Sequence, residues 1–260
     1  MPEIVGIWRL GESLHQSSTA TLSLAQPADA AGSPRWDYVI KRAAGECGEL
    51  EPRQQILRFI AAAAGIEHPN LVPVLDASTT ASAPYVVMPR LEGASMESHL
   101  LSEVRKPLPV ALWLVRQIAQ GLEALHESGW IHGDVKPANS IVGPSGHVTL
   151  VDFGFATRIH TVAKHHYRGT PAYSAPEALA AEMAAIPAMD IFSLGRLLWQ
   201  WMTRTQPASQ EVLEPVADLV EAMICPDADV RPTAGEVSNR LLRLEIETLG
   251  RHIGPSRAAA

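Results

Sequence analysis

Hydrophobic and polar positions change their period partway along the chain. Thr19–Leu24 alternates, and Trp36–Lys41 is rich in strand-forming side chains. Between them Gln26–Arg35 carries two prolines and a glycine, the composition of a hairpin loop. From Pro52, a suitable first helical residue, Ile56, Phe59, Ile60 and Ala63 recur at helical spacing until Gly65. Leu71–Leu75 and Tyr85–Met88 are two further apolar strand candidates. About the first ninety residues therefore read as a small sheet carrying a single helix.

After Gly93 the helical period takes over. Val110–His126 places Leu114, Ile118, Leu122 and Leu125 on one stripe of a long amphipathic helix. Ser140–Val142 and His147–Val151 flank Gly143-Pro144-Ser145-Gly146 as a β-hairpin. Beyond Ala175, Glu177–Met183, Ile191–Thr203, Leu213–Ile224 and Ala234–Leu249 read as helices, separated by Pro187, Pro207, Pro226 and Pro232. The expectation is an α+β molecule: a β-rich part over residues 1–91, a mostly helical part over 92–250, a flexible tail over 251–260, and a cleft between the two main parts.

Composition narrows the functional classes. The 260 residues are 47% hydrophobic, enough to pack a globule. A net charge of -7 argues against a nucleic-acid partner, because such proteins need excess Lys and Arg to displace counterions. Cys47 and Cys225 stand far apart with no ligand-like spacing, which points to neither a disulfide framework nor a zinc site and fits a reducing, cytoplasmic setting. The start lacks the regions of a signal peptide, and the most apolar runs, Ile60–Ile66 and Ile191–Met202, are too short or broken by Arg196 for a membrane span. A soluble protein with no membrane partner is expected.

The chemistry lies in the second part. Phosphoryl transfer needs positioning: a carboxylate for the attacking hydroxyl, metal ligands to gather phosphate charge, and a cation on the phosphates. The sequence offers His132-Gly133-Asp134-Val135-Lys136-Pro137-Ala138-Asn139, then Asp152-Phe153-Gly154 at the end of the hairpin. Asp134 and Asn139 could simply shape a turn, and one tripeptide can occur by chance. Together, with a helix before them and a hairpin between, they resemble the catalytic loop and metal-binding element of protein kinases. The resemblance runs from about Trp8 to Leu249 and is closest over Trp130–Glu177.

That resemblance implies a two-lobed kinase fold that uses ATP and Mg2+. Asp134 would receive the substrate's hydroxyl proton, Lys136 would neutralise the transferring phosphate, and Asn139 and Asp152 would hold magnesium. Gly169–Glu177 resembles the end of an activation segment, where Thr170 would bond the catalytic loop, and a Thr there with Lys136 two residues past the base is the Ser/Thr pattern. Asp190 would bond the catalytic-loop backbone, and Arg231 would pair with Glu177. Lys41, in Val39-Ile40-Lys41, would contact the α- and β-phosphates. Met88 would be the gatekeeper of the adenine site, Pro89 would offer only its carbonyl, and Leu91 could still donate its N–H.

The first part departs from the pattern. The glycine positions of the phosphate-covering loop fall on His15, Ser17 and Ala20, ahead of Leu22. Ser17 and Leu22 are carried over as nucleotide contacts, although Ser17 to Thr19 also reads as a solvated hairpin tip. Counting back from His68-Pro69-Asn70 puts the helix glutamate that would hold Lys41 near Phe59, and Pro52–Ala64 has no acid. Glu49 or Glu51 could reach Lys41 from a shifted helix, or could simply complement the helix dipole. Gly133 replaces the Arg that would capture a phosphorylated activation segment. Thr157, Thr161 and Tyr167 remain candidate phosphosites, and His160, His165 and His166 read as an exposed loop rather than a metal cluster.

The function implied is a Ser/Thr protein kinase acting on a protein hydroxyl, similar to compact bacterial kinases. The alternative is a pseudokinase serving as a nucleotide-binding or interaction module. A small-molecule kinase on the same fold is opposed by Gly169-Thr170 and Ala175-Pro176-Glu177, which resemble a protein-substrate platform.

Overall fold

A computed structural model describes residues 3–30, 32–44, 50–80, 84–162, 169–179 and 183–253. The first part is a six-stranded antiparallel sheet of order β1-β2-β3-β4-β6-β5. Its strands are β1 (Ile4–Val5), β2 (Trp8–Gln16), β3 (Ala20–Pro27), β4 (Tyr38–Ala43), β5 (Asp76–Ser78) and β6 (Tyr85–Pro89), with helix α1 (Leu50–Ala63) between β4 and β5. Side chains alternate across a strand, so Ile40 joins Trp8, Leu10, Ala25, Tyr85 and Val87 on one face while Val39 joins Leu24, Met88 and Phe59 on the other. Lys41, two residues after Val39, shares the α1 face. That placement is why a lysine here is 6% exposed.

The second part opens with β7 (Ala94–Ser95) and α2 (Met96–Leu101), whose N-terminus Ser95 caps by accepting the Ser98 N–H. Helix α3 (Leu108–Glu127) buries Leu112, Val115, Ala119, Leu122 and Leu125 against α5 (Pro187–Met202) and α7 (Ala234–Ile253). Arg116 clamps α3 to α7 through a two-pronged pair with Glu245 at 2.6 and 3.1 Å. Strands β9 (Ser140–Val142) and β10 (Val148–Leu150) form the expected hairpin, flanked by β8 (Trp130–Ile131) and β11 (Thr157–Arg158), which pair with each other. Helices α4 (Pro176–Leu179) and α6 (Gln210–Met223) complete the set. One apolar core runs from α1 and β4 through β10 into α3, α5 and α7.

Several boundaries differ from the sequence reading. Leu71–Leu75 is not a strand. Leu71 bridges Leu150 and the Val72 N–H reaches Leu150 O at 3.0 Å, but Pro73 has no N–H to continue the ladder, and the strand forms later as β5. Pro187 opens α5 as its first residue rather than preceding a helix at Ile191. Helix α6 starts at Gln210 and contains Pro215. Helix α4 is described over Pro176–Leu179, residues 180–182 of the expected helix lie outside the described residues, and Met183 is not helical, with Ala184 after it bridging Val162. Helix α7 runs through Ile253, into the stretch read as a tail, whose remainder lies outside the described residues. Among the described residues no helix is long and apolar enough to cross a membrane.

Candidate active site

The turn after β8 is held from below by a buried carboxylate. Asp190 on α5 is 1% exposed, and it accepts the backbone N–H of His132 at 2.7 Å and of Gly133 at 2.9 Å. His126 Nε2 lies 2.9 Å from the same carboxylate. Burial pushes the Asp190 carboxyl up, but the His126 contact, the His132 ring and the Gly133 N–H together pull it below the usual carboxylate value. The His132 ring settles its own tautomer. Nδ1 accepts the Asp134 N–H at 3.2 Å, so Nε2 carries the hydrogen and donates to Val151 O at 3.1 Å. One ring thereby ties the Asp134 turn to the strand end that precedes Asp152.

Asp134 is 5% exposed and both its oxygens are engaged. Oδ1 accepts the Thr170 hydroxyl at 2.7 Å. Oδ2 lies 2.7 Å from Lys136 Nζ and 2.9 Å from Asn139 Nδ2. Lys136 Nζ also donates to Thr170 Oγ1 at 2.7 Å, closing a ring of three side chains. The structure thus brings Asp134, Lys136, Asn139 and Thr170 together.

Asp152 sits at a left-handed backbone position, φ 70° and ψ 73°, its Oδ1 accepting the Gly154 N–H at 3.2 Å. Lys41 Nζ lies 2.5 Å from that oxygen. Burial raises the Asp152 carboxyl, and Lys41, the Gly154 N–H and His132 outweigh it, holding the group below its usual range. Of the two acids named above, Glu51 lies 3.1 Å from Arg58, and Glu49 is outside the described residues.

Phe59, the position the count gave for the helix acid, borders Lys41, its ring centroid 5.8 Å from Lys41 Nζ. Phe59 stacks on Phe153 with ring centroids 5.3 Å apart, and the side chain beside Gly154 is that of Gln55, 6% exposed. Sequence reading also missed Arg58, which reaches Gly154 O at 3.5 Å while bonding Glu51 and Gln54. The spacing Gln55, Arg58, Phe59 on one helical face was the signal available.

Among the residues expected to meet a nucleotide, Met88 is buried in the core and pairs with Val39 across β4 and β6. Pro89 stands opposite Tyr38 at a position where the ladder bonds are made by its neighbours, as the Arg90 N–H to Asp37 O bond at 2.8 Å shows. The missing N–H of Pro89 therefore costs no sheet bond. Leu91 follows beyond that last ladder bond, part-buried. Leu22 lies opposite Lys41 and packs on the core. Ser17 is exposed at the β2–β3 tip, and its hydroxyl closes its own turn, accepting the N–H groups of Thr19 and Ala20 at 3.3 and 3.0 Å. Of the residues carried over, Ser17 is the one the structure commits elsewhere, because a loop without glycine bonds its own turn through side chains.

Below Asp134, Arg231 holds Glu177 in two bonds of 2.5 and 2.9 Å, with further bonds to the carbonyls of Ala188, Cys225 and Pro226. Tyr173 donates to Gln200 at 2.7 Å, seating the Thr170–Tyr173 segment on α5. Among known families, the protein kinase domain matches residues 36–242.

The chain belongs to the protein kinase family. It is 30% identical to the serine/threonine-protein kinase PkaA of Streptomyces coelicolor over 220 residues, 75% of this chain and 40% of that protein. It is 33% identical to a probable serine/threonine-protein kinase of Clostridium perfringens over 166 residues, 61% of this chain and 24% of that protein. With CBL-interacting serine/threonine-protein kinase 7 of Arabidopsis thaliana it shares 30% identity over 200 residues, 75% and 46% of the two chains. The kinase domain thus spans less than half the length of these relatives.

The donors present fit a magnesium ion brought with phosphates. Asn139 Nδ2 is committed to Asp134 O and Oδ2, each at 2.9 Å, which leaves its amide oxygen for a cation. Asp152 uses Oδ1 for Lys41 and Gly154, leaving Oδ2. These are hard oxygen donors, and among the described residues no three His, Cys, Asp or Glu side chains converge as a complete metal cage. A cation completed by phosphate oxygens and water is the one such a pair suits. Of the loop histidines, His160 is exposed, and His165 and His166 lie outside the described residues, as does Tyr167.

Proposed function

We propose that this kinase domain transfers the γ-phosphate of ATP to a serine or threonine hydroxyl of a protein, with magnesium held by Asn139 and Asp152. The observation that carries the reading is the ring of Asp134, Thr170 and Lys136, each contact 2.7 Å. In a pocket this buried, a carboxylate and a cation can act on one small volume.

The acceptor oxygen bonds to the γ-phosphorus as the bond to the β–γ bridging oxygen breaks. The acceptor's proton passes to Asp134, and ADP leaves. Thr170 and Asn139 fix the carboxylate's direction, and Lys136 stands where negative charge gathers on the transferring group. Lys41 steadies the remaining phosphates. The magnesium ion supplies charge neutralisation and a template for the phosphate oxygens. The Pro89 carbonyl and Leu91 N–H address the adenine edge, with Met88 and Leu22 on its faces.

The Thr170 and Lys136 pairing and the relatives' names support a protein hydroxyl as acceptor. A cytoplasmic location is the reading that fits the composition. The test is labelled γ-phosphate transfer to the protein itself and to a generic basic protein, wild type against Asp134→Ala. Incorporation that disappears in the variant is expected. Equal background in both would make the domain a binding module instead.

A further inference from the structure

The segment that follows Thr170 lies against one face of α5. Tyr173 donates to Gln200 at 2.7 Å, and Arg196 Nε reaches the carbonyl oxygen of Ala172 at 3.4 Å. Arg196, Trp199 and Gln200 are i, i+3 and i+4 neighbours on that face. The Arg196 guanidinium lies over the Trp199 ring, 5.3 Å from its centroid, and the tryptophan is 49% exposed. Such stacking holds a long cationic side chain in one direction. Arg116 and Arg231 are each spent on a glutamate, but among the described residues no carboxylate pairs with Arg196. With Nε on Ala172, its two terminal nitrogens are left for an incoming acid. Burial pushes the Tyr173 phenol up and Glu97 on α2 adds to the rise, while the Gln200 bond and Arg196 oppose it, so charges of both signs reach this tyrosine. Thr170, one turn earlier, donates to Asp134 at 2.7 Å, which puts this face beside the place where an acceptor hydroxyl is expected.

We propose that Arg196, steadied on Trp199, is a specificity residue that selects acceptor proteins carrying an aspartate or glutamate close to the serine or threonine. The inference rests on the proposed function. Ala172 lies two residues beyond Thr170, and an extended acceptor advances about 3.3 Å per residue, so an acid roughly two to four residues from the hydroxyl can reach the guanidinium. The terminal nitrogens then offer that carboxylate a two-pronged bond. Selection is confined to one position, because Glu97 repels an acid placed nearer to α2 and the net charge of -7 disfavours acidic acceptors generally. A preference for acid at a single position therefore cannot come from overall attraction. The contact lies outside the ring of Asp134, Lys136 and Thr170, so it is made alike before and during transfer and should appear in KM rather than kcat.

The experiment uses the full chain and serine peptides of one neutral sequence, in which aspartate, lysine or alanine is placed at one position at a time on either side of the serine. Phosphotransfer gives kcat and KM for each peptide, and the reading is kcat/KM for a charged peptide divided by that for its alanine counterpart. Wild type should favour aspartate at one position by about threefold to tenfold, chiefly through KM. Arg196→Met should bring that ratio to about one, and Arg196→Glu should favour lysine at the same position by a similar factor. An Arg196 that only braces Ala172 would slow all peptides together and leave the ratios unchanged, and that result overturns the proposal. So does a wild type indifferent to acid at every position. If phosphate reaches a protein but no peptide, fluorescence anisotropy of the labelled peptides decides: affinity that follows the charge at residue 196 upholds the inference, and affinity blind to it overturns it. Transfer to no acceptor at all, protein included, is a separate result that removes the proposed function and this inference with it.

Discussion

The Thr170 hydroxyl donates to Asp134 Oδ1 at 2.7 Å while Lys136 Nζ lies 2.7 Å from Asp134 Oδ2, so two groups from separate segments fix the direction of one carboxylate. Removing the hydroxyl lets the carboxylate rotate without removing it. Thr170→Ala is expected to lower kcat by on the order of tenfold to a hundredfold, less than the loss of an entire general base. Thr170→Ser should retain most activity, since it keeps the donor. Steady-state phosphotransfer checks both variants, and an alanine variant at wild-type rate would deny Thr170 this role.

Acid sensitivity should be traceable to Asp190. Its folded value lies below the usual 3.8, despite burial, because His126, the His132 ring and the Gly133 N–H favour the charged form. A depressed carboxylate contributes stability that is complete above its unfolded value and is lost as pH falls through the folded value. The loss should therefore begin below about pH 4 and deepen further into acid. Asp190→Asn places an amide NH2 against backbone N–H donors. It should be less stable than wild type near neutrality, with the gap narrowing in acid. Urea midpoints from about pH 7 to about pH 3 measure this, and a gap independent of pH would contradict it.

Arg231 is fully buried at its side chain and carries both the Glu177 carboxylate and the carbonyls of Ala188, Cys225 and Pro226. Truncating it strands a carboxylate and several acceptors at once. Arg231→Met should cost about 3–5 kcal/mol in denaturant unfolding, the scale for breaking a buried pair. The double variant with Glu177→Leu should recover part of that loss. If the double variant is as unstable as the sum of the singles, the pair is not coupled.

The catalytic turn was legible because Asp134, Lys136, Asn139 and Asp152 lie in two short motifs joined by a hairpin whose turn chemistry is plain in Gly143–Gly146. Asp190 and Arg231 were legible by their order along the chain. The first part was harder for stated reasons. Pro73 ended a ladder that the apolar pattern of Leu71–Leu75 suggested would continue. The Ser17 hydroxyl, offered as a phosphate contact, turned inward because a loop tip without glycine satisfies its own backbone. The Lys41–Asp152 pair joins residues 111 positions apart and has no local signature.

Gly133 was read as the loss of an arginine, yet the backbone gives it a reason of its own. Its φ is +77°, and a Cβ there would lie 2.7 Å from the carbonyl oxygen of Phe155, a backbone atom. An L-residue at such an angle carries a penalty of roughly 1–2 kcal/mol before the contact is counted. The Phe155 carbonyl cannot retreat freely, since it accepts the Thr157 hydroxyl at 3.1 Å and Thr157 pairs with Ile131 in the β8–β11 ladder. Gly133→Ala should therefore lower stability by about 1–2 kcal/mol or more. Because Asp134 is the next residue, it should also depress phosphotransfer by more than the lost stability alone explains. Gly133→Arg should cost at least as much, since the two share the offending Cβ. Denaturant midpoints together with kcat at a temperature where both proteins remain folded provide the measurement, and an alanine variant equal to wild type in both would show that the turn has room to relax.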